Sequence, residues 1–243
     1  MSHETLKKIL WWLCLLVAPF VLAILELFHP AGFTQSPGMY QYLSVPHSYD
    51  PQFKALAYFG PQWWFTLHMI QTLLVALVAI GLWLLAALTD RSAKPVVVTL
   101  AWLARVATFA FLVYYTALDS IGGSGLARSI INTQALASQG TLTADQLSGV
   151  VLVLNTTWVD AWVGGVGSFI SLTGSWAAFV AALFTALALL LERKASWPPA
   201  LLLVAFGWEL QMSHTMPHGP IAFALLVPAG IWIWRTGRRA TSA

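Results

Sequence analysis

The segment Ser213-His214-Thr215-Met216-Pro217-His218-Gly219-Pro220 places two of the six histidines four residues apart, between two apolar runs. Neutral imidazoles are ligands for zinc, copper and iron, and carboxylates complete or orient such sets. Pairs of imidazoles also hold haem. Two further histidines lie in or beside apolar runs. His68 follows Trp63-Trp64, and His29 precedes Pro30 at the end of the first run. An ionisable group inside a lipid-spanning segment is costly, which makes His68 a functional candidate. His68, His214, His218 and His29 are therefore the candidate metal ligands. Glu26 and Glu209, each about a turn from the end of its run, are candidate general bases or acceptors that hold histidine tautomers. Each residue also has a plainer reading. His29 would bond the last carbonyls of its helix. His68 would be a core imidazole bonded to Gln71 or a backbone group, and His214 and His218 turn residues at an interface.

The elements that must carry these residues follow from composition. Of 243 residues, 58% are hydrophobic and 9% charged, with mean hydropathy +0.74. Soluble domains carry about 25% charged residues. The apolar runs are continuous rather than alternating, so they predict membrane-spanning helices. Backbone groups in lipid must bond within their own segment, which favours this reading. The single cysteine, Cys14, excludes an internal disulfide. Lys7 and Lys8 before the first run imitate a signal peptide, but the run is too long and no cleavage site follows.

The predicted fold is all-α: a polytopic bundle of six transmembrane helices at about 9–28, 63–88, 95–118, 168–191, 198–212 and 219–235. The chain reads as a single membrane domain. Residues 30–62 form a proline- and aromatic-rich flap with a short helix expected from Pro51 to Phe59. Residues 120–163 form a second segment outside the spans, lying on or re-entering the leaflet. There Gly122, Gly123 and Gly125 are expected to break the chain, before an amphipathic helix over Leu126–Leu136. Thr143-Ala144-Asp145-Gln146 reads as a helix start, with Gln three residues after Thr. The next helix runs toward Trp162. Gly164, Gly165 and Gly167 interrupt it, and Ser168, Ser171 and Ser175 form a small-residue seam. Asn155-Thr156-Thr157 matches a glycosylation sequon. Pro228 predicts a kink in the last span.

Lysine and arginine orient the bundle. With both termini cytoplasmic, Lys7, Lys8, Arg91, Lys94, Arg193, Lys194, Arg235, Arg238 and Arg239 lie inside, nine of the twelve basic residues. A multi-pass protein of the cell inner (plasma) membrane is expected. All histidines but His3 then face outward, including His47 in the flap.

The set His68, His214 and His218, the latter two spaced H-x-x-x-H, is faintly similar to the three zinc-binding histidines of alkaline-ceramidase-like membrane hydrolases. The resemblance covers these positions only. The chain has six predicted spans rather than seven, and no counterpart of that family's serine and aspartate. It implies zinc-activated water acting on a lipid-like substrate.

Three function classes remain. The first is a metal- or haem-binding protein with zinc, copper or haem at the outer leaflet, either a hydrolase or a redox protein. The second is a small-solute or proton transporter using Arg105, Glu209, Glu26 and Asp119. The third is a non-catalytic accessory subunit or sensor that docks a membrane-protein partner through the flap. The bilayer and a hydrophobic small molecule are the expected partners. Gly122-Gly123-Ser124-Gly125 lacks the spacing of a phosphate loop, and nothing indicates nucleic acid.

Overall fold

The computed structural model describes residues 2–30, 38–44, 47–48 and 58–241. These residues are almost wholly helical: α1 (His3–Trp12), α2 (Ala18–Glu26), α3 (Met39–Ser44), α4 (Pro61–Ala87), α5 (Pro95–Leu118), α6 (Leu126–Ser138), α7 (Ala144–Trp158), α8 (Phe169–Leu191), α9 (Trp197–Met212) and α10 (His218–Thr241). One antiparallel pair of two-residue strands, β1 (His47–Ser48) and β2 (Tyr58–Phe59), lies within the flap. The helix predicted over Pro51–Phe59 falls outside the described residues for 51–57, and its last two residues are extended instead.

Among the described residues, five helical stretches are long and apolar enough to cross a membrane: Glu4–Glu26, Pro61–Ala87, Pro95–Ser138, Phe169–Leu191 and His218–Thr236. By length and composition the chain is a multi-pass membrane protein. The segment predicted as a further span is helical but has 16 residues. It is about 24 Å long, short of a typical hydrocarbon core of about 30 Å.

Contacts divide the chain into two compact units. The first comprises Met1–Leu27, Leu73–Val113 and Thr173–Ala243. Its first span passes through a π-helical turn, Leu13–Val17, where the Ala18 amide bonds the Leu13 carbonyl. Pro19 lacks the N–H that Leu15 would accept, so the ladder widens just before it. Helix α10 packs along α9 and α2, and Trp11 and Trp12 lie 5.3 and 5.9 Å from Trp234 between ring centroids. Helices approach closely where side chains are small: a Cβ on Gly207 would lie 2.9 Å from Ala182 Cβ and from Phe179 Cα. At one end, Ser92 Oγ donates to Glu192 at 2.7 Å and Lys94 Nζ to the Leu191 carbonyl at 2.7 Å. These bonds tie the α4–α5 turn to the end of α8.

The second unit comprises Phe28–Thr72 and Tyr114–Leu172. Its core joins Met39, Leu43, Trp64, Leu126, Ala127 and Ile130. Asn155 on α7 holds α3: its Oδ1 accepts from the Tyr40 amide at 2.9 Å, and its Nδ2 donates to Gln41 Oε1 at 3.1 Å. The predicted helix start at Thr143 is a full capping box, with both reciprocal bonds to Gln146. The helix stops at Trp158, short of the expected Trp162. Asp160 Oδ1 then accepts from the Trp162 and Val163 amides, and these backbone donors hold its carboxyl below the usual range. Ser168 caps the turn into α8, its Oγ donating to the Gly164 carbonyl at 2.9 Å and accepting from the Ser171 amide at 3.3 Å.

The glycines at 122, 123 and 125 do not break the helix. The chain continues through a π-helical segment, Asp119–Gly125, directly into α6. An outside partner steadies this glycine-rich turn: the Gly122 carbonyl accepts the Trp64 indole N–H at 3.1 Å.

Candidate metal centre

Two of the four predicted ligands meet in the second unit. His29 follows α2, and His68 sits on α4 one turn after Trp64. Both are buried, at 0% and 3% exposure. Their ring centroids are 5.2 Å apart, and Trp64 lies against both, at 5.2 Å from His29 and 4.6 Å from His68. Each ring has one nitrogen committed to a backbone carbonyl. His29 Nδ1 is 2.9 Å from the Pro30 oxygen, and His68 Nδ1 is 2.8 Å from the Trp64 oxygen. A carbonyl only accepts, so Nδ1 carries the proton in both. In the neutral form of such a ring the lone pair sits on Nε2, the arrangement found around metal-ligating histidines.

Gly123 makes room for His68. A Cβ there would lie 2.3 Å from His68 Cδ2 and 2.4 Å from Cγ. Four residues before Gly123 is Asp119, at 1% exposure, whose two carboxylate oxygens have no hydrogen-bond partner among the described residues. The sequence suggested Asp119 only as a cavity residue, because nothing in its local pattern tells of this burial.

In the first unit the 213–217 turn joins α9 to α10. Gly219 is required here, since a Cβ would fall 1.7 Å from the His214 carbonyl oxygen and 3.2 Å from Glu26 Cγ. Glu26 is fully buried. Desolvation pushes the His214 imidazole down to about 4, so it is neutral at pH 7. His218 turns elsewhere: its Nδ1 bonds Glu209 Oε2 at 2.8 Å, with both side chains partly exposed. It opens α10, so its ring faces back along α9.

Within the second unit, His29 and His68 each offer a ligand nitrogen within 4.8 Å of the other, a two-imidazole group. The fourth predicted ligand, His218, is not in this group and has Glu209 instead. Of the two predicted carboxylates, Glu26 is buried beside Gly219 and Glu209 serves His218. His47 is described only through its backbone. Arg105 pairs with Asp90, fifteen residues earlier, and its guanidinium carbon lies 5.5 and 5.1 Å from the Trp83 and Trp102 ring centroids.

The chain matches no family model, no curated protein and no solved structure. Function must therefore be read from these side chains themselves.

Proposed function

We propose that this protein is a membrane metalloprotein in which His29 and His68 hold a divalent transition metal, zinc foremost. The observation that carries the reading is the approach of two buried imidazoles, each with a ligand nitrogen within 4.8 Å of the other. Each has its Nδ1 bonded to a backbone carbonyl, which makes Nε2 the nitrogen a metal would take.

Zinc held there would supply Lewis-acid activation of a water for the hydrolysis of carbonyl or phosphoryl esters. With histidines borne by apolar helices, a hydrophobic, lipid-like substrate is the natural class. Glu26, three residues before His29, is the proposed proton acceptor or orienting carboxylate. In this reading α9 is a short sixth span. Both termini lie on the cytoplasmic side of the inner (plasma) membrane, as the basic residues suggest.

The test is elemental analysis of the detergent-purified chain. About one zinc per chain is expected by simple ligand counting. It should be lost in His29→Ala and His68→Ala, and kept in His218→Ala. Folded protein that takes up no zinc or copper on reconstitution would overturn the proposal, and stoichiometric copper would redirect it to redox chemistry.

A further inference from the structure

Arg105 occupies a second site, distant in sequence from the histidines. It lies on α5, ten residues after Pro95, yet it is 6% exposed. Its guanidinium sits near two tryptophan rings, Trp83 and Trp102, both of which are themselves exposed on their outer faces. Together with Thr89, Asp90 and Ala101 these residues line an open cleft. Asp90 Oδ1 receives Nη2, and the Asp90 side chain is about half exposed. A guanidinium has five N–H donors in a planar fork, and one carboxylate oxygen uses only part of it. The remaining donors are not sealed in the core, since no Arg105 nitrogen is among the buried atoms without a partner.

The surroundings say what such donors would receive. Along α5 the residues next to the cleft, Val98, Leu103, Val106 and Phe109, are apolar and exposed, the pattern of a surface facing acyl chains. The adjoining turn carries Arg91 and Lys94, the latter paired with Glu192 at 3.6 Å. Basic pockets between spanning helices near a membrane surface suit anionic lipid head groups.

We propose that this cleft binds the phosphate of an anionic phospholipid. Arg105 clamps the phosphate, Trp83 and Trp102 flank it, and one acyl chain runs along the Val98–Val106–Phe109 face of α5. Asp90 holds the guanidinium in place when the lipid is absent and competes with the phosphate for it.

Native mass spectrometry of the full chain, titrated with phosphatidylglycerol or phosphatidylcholine, tests this. Wild type should retain phosphatidylglycerol about tenfold better, the size expected of one charge-assisted bidentate contact. Arg105→Gln should abolish that preference. Asp90→Asn should raise it, because the competing carboxylate is gone, whereas a merely structural ion pair would leave all three proteins alike. Equal retention of both lipids by wild type, a preference surviving in Arg105→Gln, or a fall in Asp90→Asn would overturn the proposal. Displacement of phosphatidylglycerol by millimolar inorganic phosphate would also overturn it, by showing a site for a soluble anion.

Discussion

Replacing Gly123 by alanine perturbs the histidine centre without touching a ligand. The added methyl carbon would lie 2.3 Å from His68 Cδ2, 2.4 Å from Cγ and 2.7 Å from Cβ. Carbon atoms rest about 3.5–4.0 Å apart, so ring and helix must separate by more than about 1 Å. The ring cannot swing freely, because Trp64 lies against one side and the Nδ1 bond to the Trp64 carbonyl fixes its turn. Overpacking of this kind costs about 1–3 kcal/mol in stability. Disturbing the support of a metal-bound imidazole lowers affinity by about 10–100-fold, and a displaced ligand belongs at the upper end. Thermal unfolding by circular dichroism and zinc competition with a graded chelator would measure the two effects. Gly149→Ala is the control. It lies within α7 with nothing inside 4 Å of the added carbon, and it should be neutral or stabilising by up to about 1 kcal/mol. Wild-type zinc affinity and unfolding temperature in Gly123→Ala would refute the reasoning that this glycine positions His68.

Other outcomes follow from the same geometry. Thr143→Ala should cost about 1 kcal/mol, read in thermal unfolding, because it removes one arm of the capping box. Trp64→Phe should cost about 1–3 kcal/mol in the same assay, since it strips the Gly122 carbonyl of its donor and loosens the packing on both histidines. The metal-free protein should lose stability as pH falls from 6.5 toward about 4: over that window an unfolded His214 takes up a proton that the folded one refuses. His214→Gln should flatten that part of the pH profile. Asp160→Asn should weaken the turn before α8 above the carboxylate range and make little difference once pH falls through it, measured by hydrogen exchange at the Trp162 and Val163 amides.

Local signals carried far in this chain. Apolar runs gave the helices, Thr143 with Gln146 gave a cap, and proline with histidine gave the 213–217 turn. The structure differs where distant residues decide. Three nearby glycines usually end a helix, yet here Gly123 is what allows the π-helical segment to pass against His68, and Trp64 supplies the Gly122 carbonyl with a donor. The spacing of His214 and His218 suggests a joint site, but the helix start at His218 sends that ring to Glu209, while His29 meets His68 from another part of the chain. Arg105 looked deep by residue count. Its long stem lets the charge reach Asp90, which sequence distance alone does not announce. Asp119 gave no local sign of a buried carboxyl, because burial depends on neighbours the sequence does not name.

The amide nitrogen of Asn155 is also the atom to which a sugar would be joined in Asn-Thr-Thr. It already donates to Gln41, and Gly38 leaves no slack around it: a Cβ there would stand 2.6 Å from that nitrogen. A glycan on this nitrogen would crowd the docked α3. A chain decorated at Asn155 would hold α3 less tightly, and a chain with α3 docked would be a poorer acceptor.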